Sequence, residues 1–210
     1  MKPEFKLRGC LGWASLALAI YMSLAQPLAA EDKITFKLFP HPKFVACLQG
    51  AGTPQAQVTI TRGTLNDTLI IQAQNLKPGL SFDMFTVQRS ALLSDGTVDP
   101  NFTNFGLAWY QSDLHANSKG QINVGLRTIF LDQIFGFDPD VSLTPLNTFH
   151  VGFWFNDPKA AQACGFDITK PTPFNGEHKA GPVAMISVPD ANTNLGPLCT
   201  DPNNDGTCNP

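Results

Sequence analysis

The chain has 210 residues, and the first thirty form a predicted signal peptide, so the mature part spans residues 31–210. That part carries 11 basic and 16 acidic side chains, a formal charge of −5, and has no cluster of Lys or Arg. Nucleic acids and anionic membrane surfaces are bound by such clusters, so both are excluded as partners. Only two of the acids are Glu and no i,i+4 Glu/Lys pattern occurs, which indicates a β-protein.

The N-terminal segment has the three parts of a signal peptide. Its basic region contains Lys2, Lys6 and Arg8. The apolar run 11–24 follows, and small residues end the segment at Ala30. Because the run is short for a membrane span and Gln26-Pro27 breaks it, export with cleavage near Ala30 is favoured over an uncleaved anchor. We therefore expect a secreted, periplasmic or extracellular protein with no membrane span in its mature chain.

Four cysteines remain after this cleavage, an even number that favours two disulfides in an exported chain. We predict Cys199–Cys208, whose close spacing would close a small loop in the tail, and Cys47–Cys164, which would join the start of the domain to a late loop. Other pairings and free thiols remain alternatives. Structural zinc is disfavoured because the sequence lacks a Cys-x-x-Cys or mixed Cys/His spacing.

Alternation of apolar and polar residues predicts eight short strands. They are residues 34–39, three strands within 57–89, and residues 105–112, 121–128, 148–155 and 183–188. Residues 129–137 fit either a helical turn or a buried crossover. The pattern predicts an all-β protein, an antiparallel immunoglobulin-like β-sandwich of about seven to nine strands with long loops. This domain would cover residues 31–189, and an irregular cysteine-containing tail would follow at 190–210.

Turn signals give these strands a predicted connectivity. Residues 57–89 are interpreted as a three-stranded meander, with a Gly/Asn/Asp loop at 63–67 as its first turn. Lys77-Pro78-Gly79 fits a type II second turn, because Pro presets φ and Gly permits a positive φ. Residues 105–112 and 121–128 are interpreted as a hairpin. The alternation in 121–128 predicts one apolar face and one wet face.

The segment LIIQAQNLKPGLSFDMF resembles the hairpins of secreted immunoglobulin-like sandwiches, including the sandwich of the copper-zinc superoxide dismutases. The resemblance implies a fold and not an activity. The dismutase metal site needs more histidines than His41, His115, His150 and His178, and its paired His-x-His is absent from the sequence. Dismutase activity is therefore not expected.

Two places carry candidate binding side chains. In the loop 174–181, Glu177 beside His178 could form an acid/base pair or contribute metal ligands, and a polar surface turn is the alternative. On the most apolar strand, His150 and Trp154 share the less apolar face and could form a stacking surface for a ligand. The alternative there is a central strand that is covered on both sides, with His150 hydrogen-bonded in the core.

The tail fits the first half of a calcium loop, in which oxygen-bearing side chains occupy alternate positions before a Gly. The predicted ligands are Asp201, Asn203 and Asp205. The bidentate acidic ligand that normally occupies position twelve of such a calcium loop is missing, so we expect weak calcium binding. The alternative is a solvated tail that is closed by a disulfide. No other cofactor is predicted.

Asn66-Asp67-Thr68 and Asn101-Phe102-Thr103 are N-glycosylation sequons. The sequence lacks a nucleophile elbow, an H-E-x-x-H motif, a P-loop and a dinucleotide fingerprint, which weakens the enzyme class. The leading hypothesis is a non-catalytic exported sandwich with a binding or structural role at the cell surface or outside the cell, with a protein or carbohydrate partner. The alternatives are a carbohydrate- or metal-binding module and an enzyme that uses the 174–181 loop.

Overall fold

The computed structural model describes residues 33–128, 130, 148–172 and 179–198. Within these ranges eight antiparallel strands form one sheet, which confirms the predicted all-β class. In chain order the strands are β1 (Lys33–Pro40), β2 (Gln55–Thr61), β3 (Asp67–Gln74), β4 (Ser81–Val87), β5 (Ala108–His115), β6 (Ile122–Thr128), β7 (His150–Phe155) and β8 (Val183–Ile186).

The sheet has the strand order β5-β4-β7-β8-β1-β2-β3-β6 and curves until it is nearly a barrel. Its two end strands, β5 and β6, follow each other in sequence and touch near the loop 116–121 that joins them. Strand β1 has two partners, because Lys33–Leu38 pairs with β2 whereas Phe39 and Pro40 pair with β8. We call β1, β2, β3 and β6 half A of the sheet, and β4, β5, β7 and β8 half B.

Short helices cover one end of the sheet. A 3₁₀ helix (Pro42–Phe44) leads into α1 (Val45–Leu48), and a second 3₁₀ helix spans Pro158–Cys164. The disulfide Cys47–Cys164 joins α1 to the second 3₁₀ helix, which confirms this predicted pair. Cys199 and Cys208 lie outside the described residues.

The alternating apolar residues of both halves point into a common core. In half A the inward positions alternate with exposed polar ones, as in β3, where Leu69, Ile71 and Ala73 are buried. In half B, β7 supplies Val151, Phe153 and Phe155 to the same core. Phe149, just before β7, completes the predicted apolar face. The alternation therefore identified the inner face of each half correctly.

The outer face of half B carries a second apolar layer. Phe85 and Val87 of β4 and Trp154 of β7 are buried there with Ala91 and Leu92 from the loop that follows β4. Aromatic side chains of the same loop pack on this layer, and the Phe105 and Trp154 rings have centroids 5.0 Å apart. Phe105 thus belongs to the covering loop, which explains why β5 begins at Ala108 rather than at the predicted residue 105.

In the predicted meander the pairing of the first two strands, β2 and β3, is confirmed. The pairing of the second strand with the third is wrong, although the turn between them is of the predicted type. Gly79 has a φ of +80°, and the Leu80 amide bonds to the Lys77 carbonyl at 3.4 Å, as in a type II turn. However, β3 pairs with β2 and β6, whereas β4 pairs with β5 and β7. The turn carries the chain from half A to half B, so the segment that resembles a hairpin is a crossover.

The predicted hairpin of β5 and β6 is wrong for the same reason. Strand β5 pairs with β4 in half B, and β6 pairs with β3 in half A. The two crossovers bond to each other, because the Gly79 amide donates to the Ala116 carbonyl at 2.9 Å and the Leu76 amide donates to the Gly120 carbonyl at 3.0 Å. These long-range bonds add to local ones within each turn, from the Leu80 amide to the Lys77 carbonyl and from the Asn117 amide to the Gln121 carbonyl.

Asp67 joins two distant segments at the other end of half A. This buried carboxylate accepts hydrogen bonds from the Gly63 amide at 3.2 Å and from the Phe130 amide at 2.8 Å. Replacing Asp67 by Ala leaves these amides without their acceptor, so we expect the free energy of unfolding to fall by about 1 to 3 kcal/mol. Urea denaturation measures the change, and Asn66→Ala, at an exposed neighbour, should stay within about 0.5 kcal/mol of the wild type. Equal stability of the two variants would contradict this role.

Candidate functional site

The structure places His150 and Trp154 under the loop 88–107 rather than on an open surface. Trp154 has an exposed fraction of 0% and His150 one of 3%. Strand β7 lies between β4 and β8, and all six of its residues are buried. These positions favour a central strand that is covered on both sides over an exposed stacking surface. Trp154 offers no ring face for stacking with a ligand.

His150 is held by Ser187, which follows β8. Its Nδ1 lies 3.1 Å from the Ser187 Oγ and 3.2 Å from the Ser187 carbonyl oxygen. Burial lowers the pKa of His150 to about 4, and the hydrogen bond to the Ser187 backbone opposes part of that shift. The side chain is thus neutral in the folded protein at physiological pH.

This burial predicts a loss of stability in mild acid. The unfolded chain binds a proton at His150 near pH 6.5, whereas the folded chain does so only near pH 4. The contribution of neutral His150 to the free energy of unfolding is therefore fully present above pH 6.5. It is lost as the pH falls towards 4, and the total loss is about 3 kcal/mol. Urea denaturation between pH 7.5 and 4 measures this loss. The wild type should lose about 3 kcal/mol more than His150→Gln over this pH range, because the variant lacks the imidazole. A pH-independent difference would contradict the assignment.

A cleft of about 480 Å³ lies between the loop after β4 and the segment that follows β8, and His150 is part of its lining. Much of its polar surface already holds the loop in place. Arg89 donates to the Asn104 Oδ1 at 2.7 Å, and the Asp99 carboxylate accepts from the Asn101 amide at 2.8 Å. Asn101, the acceptor residue of one sequon, is exposed at this cleft. These bonds fix the shape of the cleft.

A Ser/His pair that the sequence analysis missed lies on the outer face of half B. Ser81 and His115 are register partners on β4 and β5, and the Ser81 Oγ lies 3.0 Å from the His115 Nδ1. Only the strand register could have identified the pair, since 34 residues separate them. Among the described residues no hydrogen bond joins His115 to a carboxylate, so the orienting member of a catalytic triad is not found there.

The outer face of half A is a polar surface that extends over four strands. Fourteen residues occupy outward positions on its four strands, and each is exposed or half-buried. They are Lys33, Thr35, Lys37, Gln55, Gln57, Thr59, Thr61, Thr68, Ile70, Gln72, Gln74, Asn123, Gly125 and Arg127. The wet face predicted for 121–128 is confirmed and extends across all four strands. We call this surface face A.

The strand register arranges face A in rows that cross the strands. One row consists of Lys33, Thr61, Thr68 and Arg127, and the next of Thr35, Thr59, Ile70 and Gly125. The third row consists of Lys37, Gln57, Gln72 and Asn123. Four threonines thus lie together in the first two rows, and we call them the threonine patch. Amide side chains border this patch along one side.

Hydrogen bonds between strands fix several of these side chains in place. The Thr35 and Thr59 hydroxyl oxygens lie 3.1 Å apart, and the Gln74 amide donates to the Gln55 side-chain oxygen at 2.9 Å. Beside the glutamines a cleft of about 540 Å³ is bounded by Lys37, Phe39 and the segment 53–57. Preordered hydroxyl and amide groups reduce the entropy that a surface loses when it binds a polar ligand.

Glu177 and His178, and the calcium candidates Asp201, Asn203 and Asp205, lie outside the described residues. Within residues 33–128, 130, 148–172 and 179–198, no group of three or more His, Cys, Asp or Glu side chains is arranged to hold a metal ion. In the same ranges no helix has the length and apolar character needed to cross a membrane.

Comparison with known proteins does not assign the chain to a family. None of the protein-family models matches the sequence, and searches of curated proteins and of solved structures find no significant match.

Proposed function

We propose that this protein is an exported, non-catalytic binding protein that holds a hydroxyl-rich polymer, a polysaccharide, on face A. The observation that carries the proposal is the contrast between the two outer faces of the sheet. Half B is covered by the protein's own loop, which buries Phe85 and Trp154. Face A is polar and open over four strands.

The chemistry of face A supports a carbohydrate over a protein partner. Protein interfaces are anchored by buried Trp, Tyr, Arg or Met side chains within a partly apolar centre. Apart from Ile70 at its centre, face A presents hydroxyls, amides and cations. Hydroxyls and amides both donate and accept hydrogen bonds, which suits the many hydroxyl groups of a sugar chain.

The proposal also includes export of the protein and an immunoglobulin-like architecture for its sheet. The predicted signal peptide and the Cys47–Cys164 disulfide both fit a protein that folds outside the cytoplasm. We also infer that the curved sheet is an immunoglobulin-like β-sandwich, because the inner faces of halves A and B share one core and both crossovers pass between the halves. Analysis of the culture fractions and of the N-terminus of the mature protein tests export and cleavage near Ala30.

Affinity electrophoresis tests the binding function. The purified mature protein is run through gels that contain a neutral glucan, a polyuronate or chitosan, and we expect retardation by at least one of them. Gly125→Trp should weaken the retardation, because the new ring would lie over face A. A Cβ at residue 125 has its closest contact at 3.9 Å, with the Leu69 carbonyl oxygen, so the backbone tolerates this side chain.

The matched control is Ser118→Trp, which adds the same ring at an exposed position of the loop 116–121. It should migrate like the wild type in every gel. If none of the three polymers retards the wild type, or if both Trp variants are affected equally, the proposed function is wrong.

A further inference from the structure

The charge of face A identifies a narrower class of polymer, on the condition that face A is the binding surface proposed above. Its charged members are Lys33, Lys37 and Arg127, and none of its fourteen residues is acidic. The described carboxylates occupy other positions, namely Asp67, Asp83, Asp95, Asp99, Asp113, Asp157, Asp167 and Asp190. Face A is therefore a positive surface on a chain whose mature part has a formal charge of −5.

The three cations lie at three corners of the region around the threonine patch. Lys33 and Lys37 are four residues apart on β1, a distance of about 13 Å along a strand. Lys33 and Arg127 end the same row, three strand spacings or about 14 Å apart. Such spacing does not concentrate charge at one point, as a site for a single small anion would. It suits a chain with carboxylates at intervals.

We propose that face A binds a linear carboxylated polysaccharide, a polyuronate. The sugar chain lies across the strands over the threonine patch, with its hydroxyls on Thr59, Thr61 and Thr68. Its carboxylates reach Lys33 and Arg127 at the two ends of the patch and Lys37 on one side. The amides of Gln57, Gln72 and Asn123 bond to the ring and hydroxyl oxygens along the border.

Other polyanions fit these groups less well. Nucleic acid binding uses clustered Lys and Arg on a basic domain, whereas face A has three cations far apart on an acidic chain. An acidic peptide would place its own amides and carbonyls against a surface whose backbone groups are already paired within the sheet. Hydroxyl groups of a sugar match the exposed threonines and glutamines directly.

The test uses two polymers with the same sugar backbone, namely polygalacturonate, whose carboxyl groups are charged, and its fully methyl-esterified form, whose carboxyl groups are neutral esters. Binding to the mature protein is measured by isothermal titration calorimetry at 20 mM and 300 mM NaCl. We expect binding of polygalacturonate that weakens at the higher salt concentration, because screening reduces charge attraction. The methyl ester should bind at least tenfold more weakly. The triple variant Lys33→Gln, Lys37→Gln and Arg127→Gln should bind polygalacturonate at least tenfold more weakly than the wild type.

The control variant removes the same number of charges at exposed positions away from face A, by Lys77→Gln, Lys119→Gln and Lys159→Gln. Its affinity should change less than twofold. Equal binding of the methyl ester, or equal loss in both triple variants, overturns the carboxylate proposal but leaves a neutral polysaccharide as the ligand of face A. Equally tight binding of poly-glutamate overturns the choice of a polysaccharide. Absence of binding to polygalacturonate overturns this inference, and it overturns the proposed function as well only if none of the three affinity gels retards the protein.

Discussion

Replacing Phe153 by Ala should lower the free energy of unfolding by about 3 to 5 kcal/mol. Phe153 lies on the inner face of β7 and has an exposed fraction of 0%. Its ring packs against that of Phe82, with the centroids 4.8 Å apart, and β4 and β8 flank it on the two sides. Because paired strands surround the side chain, the core cannot collapse to fill the cavity, and the cost includes lost contacts as well as lost burial.

Urea denaturation of the purified mature protein measures this loss, and the second aromatic of the pair extends the test. Phe82→Ala should cost a similar amount, and the double variant should cost less than the sum of the two, because the variants share one contact. Leu65→Ala is the control, since this large apolar side chain is 84% exposed and its removal should change stability by at most about 0.5 kcal/mol. A Phe153→Ala variant as stable as Leu65→Ala would refute the assignment of the inner face.

The second large effect concerns the disulfide. Replacing both Cys47 and Cys164 by Ala should lower the free energy of unfolding by about 4 to 5 kcal/mol. The two cysteines are 117 residues apart, so the bond restricts a long loop of the unfolded chain. It also holds α1 to the 3₁₀ helix Pro158–Cys164, two short elements with little hydrogen bonding of their own. Short helices of this kind depend on tertiary contacts for their stability.

The control for this experiment is the variant Cys199→Ala with Cys208→Ala, which removes the other predicted pair and retains Cys47–Cys164. A bond between Cys199 and Cys208 would close a loop of only about ten residues, so its loss should cost less, about 2 to 3 kcal/mol. Denaturation without reductant compares the two variants, and dithiothreitol should bring the wild type to the stability of the chain that lacks all four cysteines. A Cys47/Cys164 variant no less stable than the Cys199/Cys208 variant would show that the long-range bond contributes little.

Both candidate surfaces depend on contacts between residues that are far apart in the sequence. The alternation in the Phe-rich strand predicts that His150 and Trp154 share its less apolar face, and in the structure Trp154 lies on the outer face of half B. The sequence could not reveal that the loop after β4 folds back over it, with Phe105 packed on Trp154. The outward residues of 121–128 were recognised as a wet face, yet face A as a surface required the register of four strands.

The amino-acid sequence by itself determined the all-β class, the approximate position of each strand, the inner faces of the strands 121–128 and 148–155 and the type II turn at 77–79, and it favoured the Cys47–Cys164 pair over the other pairings. These features follow from local alternation, from the conformational limits of Pro and Gly, and from the even number of cysteines. The tertiary structure alone decided which strands pair, as the two crossovers between halves A and B demonstrate. Alternation records which side of a strand is buried, and it contains no information about the strand that lies beside it, because hydrogen-bonding partners are chosen by packing of the whole chain.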